Sequence, residues 1–380
     1  MVQTDSIREQ RVIIDEHGLA DVPFLVLTLL LVVVGLVMLF SASYVSAIHD
    51  GLPPTHFFFR QAVFALAGVA AMLVVSRINY QAWRFLSFWV LGAACLLLVA
   101  VAIPGIGVVH NGARRWIRIG VEFQPSEFAK LGVVLSFSAM MSVWRERMKT
   151  FRFGVLPFMA ILLLIAVLLY LEPHMSATVI ILMTGALMMF LGGTKLKWFV
   201  LGGIAGVVVV AVYLSTKGYA GDRIMAWRDP FSYSRDEGYQ IVQSLYAIGS
   251  GGLFGLGFGR SRQKYLYLPE PENDYLFAIV CEELGLAGAL LVLLLFVMLI
   301  VRGYWIAMHA RDRFGSMVAS GITTLLALQV FFNIGVVTNF LPATGISLPF
   351  FSYGGTALVL QLAEMGIVLS ISRWNTEQLI

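Results

Sequence analysis

The sequence predicts an all-α, polytopic integral membrane protein with about ten transmembrane helices and a large loop between the seventh and eighth. Three observations carry that prediction. The 380 residues are 59% apolar and only 13% charged, whereas a soluble domain carries roughly a quarter charged residues. The apolar residues are gathered into long runs near the roughly 20 residues that a spanning helix needs. The runs are continuously apolar rather than alternating, which excludes a membrane β-barrel pattern. Hydrocarbon then demands helices, because unpaired backbone groups are costly there.

Ten segments qualify in order: about Phe24–Ile48, Phe57–Ser76, Phe85–Ile103, Ser126–Trp144, Val155–Leu171, Ser176–Leu191, Trp198–Leu214, Tyr275–Val301, Phe314–Phe340 and Ser352–Ser372. The fifth and sixth are short and separated by Glu172-Pro173. Residues 1–23 form a polar N-terminal tail, and the first apolar run is too long and too late for a cleaved signal peptide. No fixed-period repeat, heptad or low-complexity tail breaks the chain, so 1–380 reads as one membrane domain. Cys95 and Cys281 sit in or beside apolar segments, so neither a disulfide framework nor a cysteine zinc site is supported.

Ten spans place both termini on one side. With that side cytoplasmic, the inner loops carry Arg77, Arg84, Arg145, Arg147, Lys149, Arg152, Lys195, Lys197, Arg302, Arg311 and Arg313. This is the distribution that the positive-inside rule expects, and it accounts for the net charge of +4 without nucleic acid. Residues 217–273 then form a large extracellular loop. One outer stretch is basic against the pattern: Asn111-Gly-Ala-Arg114-Arg115-Trp116-Ile-Arg118.

The large loop holds seven basic and seven acidic residues through Asp274, and its centre, Gly249–Gly259, has six glycines in eleven residues. That run lacks the lysine of a phosphate-binding P-loop and follows no strand, so its glycines point to tight turns or close backbone approach. Asp274 stands where polar loop becomes apolar helix. It is either a helix cap or a general base whose pKa burial would raise. Glu127 and Lys130 are three apart, so they share a helix face near the membrane, as a strut or as a polar cavity wall. Arg114, Arg115 and Arg118 form an interfacial anchor or a diphosphate clamp. Arg223, Gln240, Gln243 and Ser244 are the polar candidates within the loop. Glu282 and Glu283 suit a helix dipole at the start of the eighth segment. No histidine pair has metal-ligand spacing.

Several stretches together resemble the SEDS family (shape, elongation, division and sporulation). They are Asn111-Gly-Ala-Arg-Arg-Trp-Ile, Gln124-Pro-Ser-Glu-Phe-Ala-Lys130, Gly238-Tyr-Gln-Ile-Val-Gln-Ser244, Leu268-Pro-Glu-Pro with Asp274, Glu282-Glu-Leu-Gly285 and Pro342–Gly355. The run Gln263-Lys-Tyr-Leu-Tyr-Leu-Pro-Glu-Pro is closer to the FtsW and SpoVE branch than to RodA. The resemblance implies a peptidoglycan glycosyltransferase that polymerises lipid II, with Asp274 as its essential acid and Arg223, Gln240, Glu127 and Lys130 in its cavity. It also implies a class B penicillin-binding protein, a transpeptidase anchored by one helix, as partner. A divalent cation, Mg²⁺ or Mn²⁺, could assist the leaving diphosphate. The rival readings are a lipid II flippase and a non-catalytic scaffold. Glu272-Asn273 stands where the family has His-Thr, and Glu272 is expected to raise the pKa of Asp274 by like-charge repulsion. His174 stands where family members often have an acid.

Overall fold

The computed structural model describes residues 18–103, 105–110, 113–172, 174–204, 225–234 and 238–374. Its long helices are α1 (Val22–His49), α2 (His56–Val75), α3 (Gln81–Ala102), α4 (Pro125–Trp144), α5 (Leu156–Leu171), α6 (Met175–Leu191), α7 (Tyr239–Gly251), α8 (Leu276–Met308), α9 (Arg313–Val337) and α10 (Thr356–Ser372). Nine of the ten apolar segments are thus helical; α7 lies in the large loop. The remaining segment, Trp198–Leu214, is helical as far as residue 204 and otherwise lies outside the described residues. Seven described helices are long and apolar enough to cross a membrane, and α6 and α10 are shorter apolar helices.

Local signals set the helix starts. Asp21 caps α1 by accepting from the Phe24 N–H at 2.9 Å, and Asp312 caps α9 by accepting from the Gly315 N–H at 3.1 Å. Proline opens α1, α4 and α5, where its missing N–H costs nothing. The bundle is layered. In α4 and α9, 78% of the most apolar window is buried inside the protein, against 22–39% in α1, α2, α3 and α8. These two helices therefore form the centre together with α10, which has no exposed residue, and α1, α2, α3 and α8 face lipid on one side. Small residues permit the central crossings: a Cβ on Gly321 would meet Val134 and Met188 within 3 Å.

The eighth apolar segment differs from its expected outline. α8 runs 33 residues to Met308 and breaks at Gly285, with φ 68° and ψ −170°. At 1.5 Å per residue it would be about 50 Å long, well beyond a hydrocarbon core of roughly 30 Å. The glycine run of the large loop fills the break. Leu256 and Gly257 donate main-chain bonds to the carbonyls of Glu282 and Glu283, while Leu286 and Ala287 donate to those of Gly252 and Leu253. The backbone groups freed by the kink are thereby satisfied. The approach excludes side chains. A Cβ on Gly251 would lie 2.0 Å from the Cys281 carbonyl oxygen, and one on Gly255 2.1 Å from that of Glu283.

Glu282 and Glu283 are not first-turn dipole acids: no acid lies in the first turn of α8. Both are fully buried and hold the loop. Glu283 accepts from Ser41 on α1 at 2.7 and 2.8 Å, from the Gly259 and Ser261 N–H groups, and from Lys264 Nζ at 3.0 Å. Glu282 accepts from the Ser261 hydroxyl and from the Arg262 N–H at 2.9 Å. Polar loop and apolar helices are joined here by charge-assisted hydrogen bonds.

The basic stretch after α3 forms a three-stranded antiparallel sheet, β1 (Gly107–His110), β2 (Ala113–Ile119) and β3 (Val121–Phe123). Its position matters below. The opposite end of the bundle is closed by Arg302 against Asp21 at 2.8 Å and by the Tyr80 hydroxyl on Asp312 at 2.7 Å.

Candidate active site

A cavity of about 470 Å³ opens at the end of the bundle that carries the sheet, within the usual range for a ligand site. Its walls come from the starts of α2, α4 and α6, from β2 and β3, from the segment before α8, and from the turns between α9 and α10. Asp274 lies in this wall with Glu270 and Asn273; across from it stand Arg60, Arg115, Glu122, Glu127, Lys130 and His174.

Asp274 does not cap α8. The N-cap is Tyr275, with no side-chain cap bond. The carboxylate instead faces the cavity, and a Cβ on Gly345 would lie 3.1 Å from its Oδ2. Burial raises the Asp274 pKa to about 6; Glu270 adds to the rise, and Arg115 opposes it. The repelling neighbour is therefore Glu270 and not Glu272. Glu272 turns away and accepts from Ser46 on α1 at 3.0 Å, and its carbonyl accepts from the Tyr353 N–H at 2.9 Å.

Glu127 and Lys130 pair at 2.6 Å, with side chains only 15% and 7% exposed. The three-residue spacing on α4 puts both on the cavity face. The strand β2 splits the arginine cluster by the partners its members reach. Arg115 reaches the cavity. Arg114 turns to the Ala102 carbonyl at 3.4 Å, and Arg118 to Glu122. A three-arginine clamp is therefore not formed. Gln240 is exposed and Gln243 half-buried on α7, and Ser244 is buried there, donating to the Val337 carbonyl at 2.7 Å. None of the three reaches the cavity wall. Arg223 lies outside the described residues.

Two neighbours complete the electrostatics. Burial, helped by Arg115 and Lys130, lowers the His174 pKa to about 3, so this ring is neutral at physiological pH. Burial raises the Glu172 pKa to about 8 against the pull of Arg115. Arg115 thus acts on Asp274, Glu172 and His174 together. Among the described residues, no group of three or more His, Cys, Asp or Glu side chains could hold a metal ion.

The sequence reading missed Arg60, Glu122, Gln329 and Glu364. Arg60, beside Gln61, and Gln329 are polar residues inside otherwise apolar runs, and that interruption was the available signal. Glu364 is buried on α10, within electrostatic reach of both Lys130 and Glu127.

Residues 22–377 match the family described as cell cycle protein, FtsW/RodA/SpoVE. The chain belongs to that family. Stage V sporulation protein E of Bacillus subtilis is 42% identical over 358 residues, covering 93% of this chain and 97% of that protein. A probable peptidoglycan glycosyltransferase FtsW of Nitrosomonas europaea is 41% identical over 363 residues, covering 93% of each. Among solved structures of the family's fold, one chain from a peptidoglycan synthase complex that coordinates polymerization and crosslinking superposes with a TM-score of 0.79 at 26% identity, over 93% of this chain and 98% of its own. The rod shape determining protein RodA of Thermus thermophilus gives 0.69 at 25% identity, over 94% and 98%. Asp274 lies in the cavity wall near Arg115, with its carboxyl pKa raised by burial.

Proposed function

We propose that this chain is a peptidoglycan glycosyltransferase of the plasma membrane that polymerises lipid II into glycan strands. The observation that carries the reading is Asp274: a carboxylate with a pKa of about 6, aimed into a cavity that also holds cations. A base with a pKa near the working pH is suited to take a proton from a hydroxyl. The acceptor sugar's hydroxyl oxygen attacks the donor's anomeric carbon while its proton passes to Asp274. The bond from that carbon to the diphosphate oxygen breaks, and the electron pair leaves with the undecaprenyl diphosphate. Arg60, Arg115 and Lys130 supply positive charge for the departing anion. The anomeric centre inverts, so one carboxylate is enough and no covalent intermediate forms. A divalent cation, Mg²⁺ or Mn²⁺, would add to the positive charge at the leaving diphosphate. The deciding experiment uses purified protein with labelled lipid II in detergent. Detergent has no two compartments, so a flippase or a scaffold would leave the substrate unchanged, whereas glycan product requires an enzyme.

We infer that the cavity end is extracellular and both termini cytoplasmic, on the strength of the basic loops at the opposite end. In a background without Cys95 and Cys281, cysteine at Tyr233 should react with a membrane-impermeant thiol reagent added to intact cells. Cysteine at Glu146, which is exposed, should not. The reverse labelling pattern would put the proposed chemistry on the wrong side. The partner we propose is a class B penicillin-binding protein with one membrane helix, supported by the likeness to a chain of a synthase complex.

The Glu127–Lys130 pair gives a further test. Reversing one charge should destabilise the protein by about 3–5 kcal/mol, because it leaves like charges buried together. Reversing both should restore much of the thermal stability but not the polymerisation, since the cation then sits at the wrong place in the cavity. A stable and fully active double swap would reduce the pair to a strut.

A further inference from the structure

Asn333 lies on α9, one turn beyond Gln329 of the cavity wall, and is only 1% exposed. Its Nδ2 donates two hydrogen bonds, to the main-chain carbonyl of Asp274 at 2.8 Å and to that of Ile346 at 2.7 Å. An amide NH₂ group has two hydrogens, and both are spent on backbone acceptors. The two carbonyls belong to separate chain segments. One ends the large loop; the other follows α9 and faces the Asp274 carboxylate through Gly345, which has φ +67°. Ser176 on α6 donates to the Thr344 carbonyl, so residues 344–346 are held from one side by Ser176 and from the other by Asn333. Asn333 itself does not line the cavity.

We propose that Asn333 is a positioning residue for Asp274: its amide clips the catalytic segment to the Gly345 segment, fixing where the carboxylate stands and closing that wall to water. The inference rests on the reading of Asp274 as the base. Around the carboxylate, the charged and titratable groups are Glu270 on its own segment, Arg115 on β2, Glu122 on β3, Glu127 and Lys130 on α4, Arg60 on α2, His174 before α6 and Tyr353 before α10. None of them is altered by changing Asn333.

The test uses the full-length protein in detergent with labelled lipid II. Asn333→Leu keeps the branched outline, in a somewhat larger side chain, and removes both donors; Asn333→Ser keeps one donor. Asn333→Leu should lower kcat roughly 10- to 100-fold, the scale of a small misplacement of a reacting group, with KM within about twofold. The acidic limb of the kcat profile should also move to lower pH. Burial is the main cause of the raised Asp274 pKa, and a loosened wall admits water. Asn333→Ser should fall between Leu and wild type, and it decides the matter if Asn333→Leu does not fold. On the Asp274→Asn background, either change should cost less than about threefold of the residual rate, because residues acting as one unit are not additive. An unmoved acidic limb, with equal losses on both backgrounds, would make Asn333 structural only. The two readings fail separately. Near wild-type polymerisation by Asp274→Asn would sink the base, whereas an inactive Asp274→Asn beside Asn333 variants with wild-type kcat and pH profile would sink only the clip.

Discussion

Asp274→Asn should fold, insert and bind lipid II, yet make almost no glycan. The amide keeps the size of the side chain and cannot accept a proton at neutral pH. Loss of a general base costs roughly a hundred- to ten-thousand-fold in rate. Stability should move the other way. The carboxyl pKa is about 6 in the folded protein against about 3.9 in an unfolded chain. At pH 7 it is therefore ionised at a cost to folding, of order 2 kcal/mol once access of water through the cavity is allowed for. The sign follows from linkage: this penalty is absent below about pH 4 and fully present above about pH 6. The amide has no such penalty, so the variant's Tm should equal or exceed that of wild type at pH 7. Wild-type rate should fall about tenfold per pH unit below pH 6 as the base is protonated. Glycan formation and thermal unfolding, measured side by side, check both statements. A variant that polymerises at near wild-type rate would end the catalytic assignment. If the amide fails to fold, Asp274→Glu takes its place: it retains the base but moves it by one methylene, and a large loss of rate with intact folding is expected.

Lys264→Met should be the most destabilising single change at the kink. Lys264 and Glu283 are 4% and 0% exposed and sit 3.0 Å apart. Removing the lysine leaves Glu283 buried without its cation, at a cost of about 3–5 kcal/mol. Lys264 also donates to the Gly259 carbonyl at 2.7 Å and to Ser41 at 3.1 Å, so the glycine segment loses its hold on α1. Lys264→Met combined with Glu283→Gln should recover more than half of the loss, because the neutral amide can still accept from Ser41 and the Gly259 N–H. Thermal unfolding of the purified single and double variants measures this. Equal unfolding temperatures for Lys264→Met and wild type would mean that Glu283 is solvated.

The spans were readable because lipid imposes one rule on every segment, and the runs of apolar residues obey it. Asp274 and the Glu127–Lys130 pair were readable for a related reason: charge stands out against apolar surroundings, and spacing on a helix fixes a shared face. Arg114 and Arg115 show where such reading stops. They are adjacent and chemically alike, and only the fold shows that Arg115 enters the cavity while Arg114 turns to the Ala102 carbonyl. Ser244 looked like a site residue because it is polar beside glutamines, but its hydroxyl is consumed by the Val337 carbonyl, a contact 93 residues away. The glycine run was read correctly as close backbone approach, yet its partner, the break at Gly285, is a long-range fact. Glu272 shows the same limit in electrostatics. Two residues along the chain from Asp274, it points elsewhere, and Glu270 does the repelling.

The ties between α1 and α8 have a consequence for biogenesis. α1 leaves the ribosome well before α8, but Ser41 meets Glu283 across 242 positions, Ser46 meets Glu272 across 226, and Asp21 meets Arg302 across 281. At the usual elongation rate, Ser41 waits about 10 to 50 s for its partner. During that interval the first helix stands in the membrane with its polar contacts unmade. A chain stopped before residue 283 lacks Glu283 and Arg302 and cannot complete the contacts of Ser41 and Asp21 with them. The last third of the chain is what locks the first helix in place.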